Sequence, residues 1–442
     1  MTAGDPATVA AIDALMARQA RQYRDAAQRE AVLAAADRDA ACVVAQAIAA
    51  IVLLHRGERD RAAGYLERGR AAQATASDRE QRFLAAIAAW QRGEVDTMIA
   101  ELETIAEHYP RDLYAVRLCC MHKFYTRKDP DGALALVRKV VPAAQDRAAM
   151  VGLLSFMEEE AKLFAEAEAH GREAVALDRT SILGQHTVAH VMEAEGRDRE
   201  GVAWLRPFID TWDDLNESFY PHMWMHLGLF HLGLGESEAV CEIIDRGCFA
   251  RYADLAPAQL YGAVLMVRAE LDGIDLGDRW RVLAARIEKD RYVHVDPLTD
   301  LHLLYALERG GRDAARFPPS LEAHAAQVHE SMRGKWQGTV VPMARAIRAF
   351  LTGDAEQSWH WLHGEPVATR FFAVGGSDVE RSVFTTIWLH TLLRSGRRAE
   401  AIEVLEAMRR QRGDQPRLVA LLAVARQERN PSAELQQSID EA

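Results

Sequence analysis

Cysteine is scarce. Five residues occur in 442, with Cys119 and Cys120 adjacent and Cys42, Cys241 and Cys248 scattered without CxxC spacing. That excludes a disulfide framework and fits a reducing compartment. Basic excess is lacking too: Lys and Arg total 53 against 65 Asp and Glu, a net charge of −12. Nucleic acid and anionic membranes call for a clustered basic footprint, so neither is an expected partner. The most apolar stretch, Ala40–Leu54, is interrupted by Gln46. It falls short of the ~20 residues of a membrane span and reads as a buried helix. The first residues, MTAGDPATVAAIDALMARQ, hold no basic segment followed by an apolar run. No signal peptide is expected, and the expected location is cytoplasmic. Aromatics are 7%, and alternating Val, Ile and Thr runs are nearly absent, which argues against a β fold.

Hydrophobic residues make up 49% of the chain, which excludes a mainly disordered one. Abundant alanine favours helices whose small side chains let neighbours approach. A break recurs along the sequence. A Gly or polar turn ends an apolar helix, and about five residues later a small or apolar residue opens a second one, as in LLHRGERDRAAGYLERG, VMEAEGRDREGVAWLRPFI and LLRSGRRAEAIEVLEAM. Anchored on that opening residue, the units fall at Ala62, Met98, Ala133, Ala167, Gly201, Val240, Val282, Ala315, Ser358 and Ala401. The shortest spacings cluster near 34 residues, the period of the tetratricopeptide helix–turn–helix repeat. Met98 is followed by Ile105 and Pro110, and Ala167 by Ala174, the small-residue and stop positions of such a hairpin. The expected fold is all-α: a tetratricopeptide-like solenoid of about ten hairpins over residues 1–429. It forms a right-handed superhelix curved enough to enclose a central groove, followed by a polar tail at 430–442.

Several segments carry a family resemblance. REQRFLAAIAAWQRGEVDTMIAELETIAEHYPRDLYAV, GLLSFMEEEAKLFAEAEAHGREAVALD, HTVAHVMEAEGRDREGVAWL, HMWMHLGLFHLGLG, DLHLLYAL and VGGSDVERSVF resemble tetratricopeptide repeat protein 38 and its bacterial relatives. The likeness is collinear from about residue 78 to about residue 411. It implies an all-helical repeat fold and brings no established reaction with it. In the relatives a GGS is followed by a small polar pair and then Arg. Here Gly375, Gly376, Ser377 and Arg381 match, whereas the residues between depart. Relatives also carry a second Trp where Met225 stands.

Histidine supplies the strongest chemical signal. Of 16 in the chain, His186, His190, His222, His226 and His231 fall within 46 residues. His186 and His190 are i,i+4 and share a helix face, and His222 and His226 repeat that spacing 36 residues on. Both pairs fall on the first helices of their hairpins, where they are expected to face a common hollow. His122, Glu159, Asp300, His302 and His390 count onto the same inner side. One functional reading is a metal site: the four imidazoles hold a divalent ion such as zinc or iron, completed by Glu159 or Asp300. Another is metal-free acid–base chemistry by histidine. The bland reading is a hydrogen-bonded network that fixes helix stacking. No HExxH is present, which argues against a zincin protease.

Glu158, Glu159 and Glu160 end an apolar helix and read either as a solvated turn or as a run with one acid, Glu159, facing inward. Ser377 with Glu380 reads as a capping box for a helix over Asp378–Arg394. Arg381 beside the glycine-rich turn offers an alternative anion site. Trp224, between His222 and His226, is the tryptophan expected near a pocket, and most of the other tryptophans and Cys119–Cys120 are expected in the core. Walker, GxGxxG and GxSxG motifs are absent. The first functional expectation is a binding module that takes a peptide, partner protein or small ligand in a histidine-lined concave groove. The alternative is an enzyme that uses the central histidines on a small molecule. The sequence leaves the oligomeric state open.

Overall fold

The computed structural model describes residues 4–426 apart from 145, 288–293, 295, 313–316, 329, 364–370 and 415. The tail expected at 430–442 and the anchor Ala315 lie outside the described residues. All regular structure among the described residues is helical, apart from one isolated bridge between Tyr23 and Leu215. The chain forms two compact units, Met1–Val191 with Pro207–Asn216 and Met192–Arg206 with Glu217–Ala442. The boundary between them falls inside the helix Ile182–Ala194. Among the described residues, no helix is long and apolar enough to cross a membrane.

Helices pack in sequence-neighbouring pairs. In the first unit Val43–His55 pairs with Arg59–Ala72, Asp78–Arg92 with Val95–His108, and Arg147–Glu160 with Phe164–Leu177. In the second, Phe219–Gly233 pairs with Ser237–Ile243, Val341–Leu351 with Ala355–Leu362, and Asp378–Arg394 with Arg398–Arg412. The stretch read as a buried helix is one: every residue of Val43–Leu53 is buried. Gln46, the polar residue that interrupts it, donates its amide to the Ala36 carbonyl at 2.7 Å, which offsets part of the cost of burying it, since its Oε1 has no hydrogen-bond partner among the described residues.

The turn inside each pair is the repeated element. Gly57, Gly93, Gly196, Gly235, Gly353 and Gly396 all have φ between +70° and +84°. Each donates its N–H three residues back, and the following residue donates five residues back. That is a Schellman stop, which needs a left-handed residue at its hinge. Lys128 and Lys162 fill the corresponding place in their turns with φ +57° and +64°. Each of these eight residues stands five before a sequence anchor, and all eight anchors are buried. At Gly201 the absence of a side chain admits the Phe230 ring, which a β-carbon would strike.

Val282 departs from that rule: it is 46% exposed, and the neighbouring Leu283 is the buried residue, at 1%. The stop here is Gly273, φ +84°, and five residues then intervene before the helix Arg279–Ile287. The insertion shifts the buried position of this helix by one residue relative to the anchor Val282.

Candidate functional site

In the first unit, the helix Ile182–Ala194 carries His186 and His190. Its entry is pinned by Gln185, which donates to the Arg179 carbonyl at 2.8 Å and accepts from the Trp212 indole at 2.9 Å. The two rings lie 4.2 Å apart and both are buried. Glu159 Oε2 stands 3.5 Å from Nδ1 of His190. The acidic run is therefore not a solvated turn: Glu158 and Glu159 are both buried. Glu158 meets His170 at 2.6 Å and Arg138 at 3.2 Å, so it is paired rather than left as a bare buried charge.

In the second unit, the helix Phe219–Gly233 carries His222 and His226. Their Nε2 atoms face each other at 2.7 Å. Each Nδ1 points the other way, toward a carboxylate. His226 Nδ1 lies 3.3 Å from Glu193 Oε2, and His222 Nδ1 lies 3.7 Å from Glu380 Oε1. Glu193 is also held by Arg268 at 3.3 Å. Arg268, itself buried, donates to the Val379 carbonyl and to Ser382 Oγ on the first turn of the helix Asp378–Arg394. The other oxygen of Glu380 accepts from the Ser377 backbone N–H and so closes the capping box. One carboxylate thus caps a helix and faces a histidine.

An Nδ1 that faces a carboxylate favours the tautomer with its proton on Nδ1, because two acceptors otherwise meet. His226 then presents its Nε2 lone pair, whereas the 3.7 Å from His222 Nδ1 to Glu380 is beyond hydrogen-bonding range and leaves His222 able to carry its proton on Nε2. At 2.7 Å the two nitrogens suit either an Nε2–H of one ring donating to the other or an ion held between two lone pairs. The carboxylates behind the rings match the outer partners that orient metal-bound histidines.

The remaining sequence candidates fall elsewhere. Trp224 lies two residues from each histidine, on the other side of the helix, and packs over Gly247. His302 donates Nδ1–H to the Leu298 carbonyl at 2.8 Å, and burial pushes its pKa down to about 4. Asp300 meets His294, Nδ1 to Oδ2, at 3.0 Å. His390 is buried ten residues beyond Glu380, about 15 Å along the same helix. The capping reading of Ser377 holds, and Arg381 is spent on the Gly375 and Gly376 carbonyls and on Asp378. His122 packs its ring on Trp90 at 4.8 Å, and burial pushes its pKa to about 4. Cys119 and Cys120 are fully buried, with the Cys119 thiol pushed up to about 12 by desolvation, so both are packing residues.

No family model matches the chain. Sequence reasoning missed Glu193, Arg268 and His294, and it assigned Glu380 only its cap. Glu193 had a local signal, since it stands at i+7 from His186 and i+3 from His190 on one helix. Arg268 had none, because its partners lie 75 and more residues away.

Proposed function

We propose that this chain is a tetratricopeptide-type helical repeat protein that holds a first-row transition-metal ion, zinc or iron, through His222 and His226. The observation that carries this reading is the buried pair of Nε2 atoms 2.7 Å apart, each ring backed by a carboxylate on Nδ1. Imidazole suits these metals, and an i,i+4 pair on one helix is a chelating element. Bonds of about 2.0–2.1 Å in a tetrahedral shell separate two nitrogens by about 3.3 Å, so loading opens the pair by roughly half an ångström. Glu193 and Glu380 fix the rings, and Arg268 fixes Glu193. His186 and His190 repeat the i,i+4 spacing in the first unit, with Glu159 behind Nδ1 of His190.

Burial favours a small ligand over a docked peptide, because a peptide groove requires accessible side chains and all four rings are buried. The paired helices and Schellman turns support the tetratricopeptide-like reading.

Cobalt(II) titration of the untagged full chain tests the proposal. The wild type is expected to develop the visible absorption of a tetrahedral Co²⁺–imidazole complex. H222A/H226A is expected to bind at least a hundredfold more weakly while keeping its helical circular dichroism. A double variant that binds as the wild type does removes the reading.

A further inference from the structure

A second constellation in the same unit lies outside the His222–His226 site. His294 makes two side-chain contacts, one through each ring nitrogen: Nδ1 lies 3.0 Å from Asp300 Oδ2 and Nε2 lies 2.9 Å from Ser320 Oγ. Neither distance is stretched, and both sit within ordinary hydrogen-bonding range. The carboxylate settles the tautomer: Nδ1 carries the proton and donates it to Asp300, so Nε2 is the acceptor and Ser320 Oγ–H donates to it. This is the nucleophile–base–orienter order of a Ser–His–Asp triad, which is recognised by geometry and roles rather than by chain position.

Burial is graded in the direction that order needs. Asp300 is buried, at 2% exposure. The His294 side chain is 6% exposed, and Ser320 is half-buried. The orienting acid is thus in the interior and the hydroxyl nearest to solvent. Three supports fix the geometry. Asp300 stands in the first turn of the helix Pro297–Arg309, whose N-cap Asp296 accepts from the Thr299 N–H at 3.0 Å. Ser320 stands in the first turn of the helix Phe317–Gln327, directly after Pro318 and Pro319, whose rings fix φ ahead of it. Phe317 packs edge-on to the His294 ring at 5.3 Å, and the His324 ring lies 5.1 Å away and itself meets Trp336 edge-on.

We infer that Ser320, His294 and Asp300 form a hydrolytic triad that acts on carboxylic esters with a short apolar acyl group, with aromatic rings beside the base. In the first half, Ser320 Oγ attacks the carbonyl carbon and His294 Nε2 takes its proton. Asp300, a positioning residue, stabilises the imidazolium. The tetrahedral adduct expels the alcohol, which leaves with the proton from His294, and an acyl-serine remains. In the second half, water gives a proton to His294 and adds to the acyl carbon. The carboxylic acid departs, and Ser320 recovers its proton from His294. Water is the co-reactant, and ester plus water gives acid plus alcohol with no change of oxidation state.

The test uses the full chain with a fluorophosphonate probe, followed by mass spectrometry of the Ser320 peptide, and p-nitrophenyl butyrate for turnover. Phosphonylation is expected at Ser320 of the wild type. S320A is expected to lose both labelling and turnover with its melting temperature unchanged. H294A is expected to label at least a hundredfold more slowly, and D300N is expected to slow turnover and shift its pH profile. Where H294A fails to fold, S320A and D300N decide alone. An unlabelled wild type, labelling at another residue only, or butyrate hydrolysis that survives S320A and vanishes with a chelator overturns the inference. The last outcome would place the chemistry at the metal pair instead.

Discussion

Glu193 joins two kinds of chemistry in one side chain: one oxygen faces the His226 ring and the other accepts from Arg268. Its predicted role is to orient the ring, so Glu193→Gln is expected to weaken metal affinity tenfold to a hundredfold, as loss of a carboxylate behind a metal-bound histidine does. Competition with a chelator of known affinity measures this. His302 gives a second prediction. Its pKa falls from an ordinary 6.5 to about 4 because burial disfavours the charged ring. Above pH 6.5 neither state binds the proton and the stability contribution is whole. Between pH 6.5 and about pH 4 only the unfolded chain binds it, so stability falls as the pH is lowered, by at most about 3 kcal/mol. His122 loses stability through the same window for the same reason. His302→Asn is expected to flatten the slope in urea midpoints measured from pH 7 to pH 4, whereas an unchanged slope would deny the ring its burial penalty. At this scale the sequence revealed the two i,i+4 pairs, since that spacing needs only a helix. It did not reveal Arg268 or the second use of Glu380, because those contacts form between helices far apart in the chain.

At the scale of the helix pair, the left-handed hinge was legible wherever glycine marks it. Lys128 and Lys162 occupy the same conformation without that mark, and a side chain there costs roughly 1–2 kcal/mol. Lys162→Gly is therefore expected to raise stability by about 1 kcal/mol, after allowance for glycine's greater freedom when unfolded. A fall in the denaturation midpoint would show that the lysine makes up its strain by other contacts. The helix Arg279–Ile287 shows where counting fails. A period is readable only while hinge and helix keep a fixed offset, and the residues inserted after Gly273 break it. Leu283→Ala is expected to cost about 2–5 kcal/mol and Val282→Ala less than about 0.5 kcal/mol. Thermal melts that reverse the order would restore the original register.

For the whole molecule, the helical class was legible from alanine content, missing strand signals and the recurring turn. The division into two compact units was not, because the boundary crosses a helix whose local pattern is continuous. The net charge of −12 also matters here, since an acidic surface collects cations without any specific site. Ion binding alone therefore carries little weight, and the comparison with a paired variant carries the claim. The direct measurement is a zinc titration of the untagged full chain at physiological salt, read by competition with a chromophoric chelator, beside H222A/H226A of matched circular dichroism. The wild type is expected to bind tightly and saturably, with a rise in melting temperature that the variant lacks. Equal affinity and an equal shift in both proteins would contradict it.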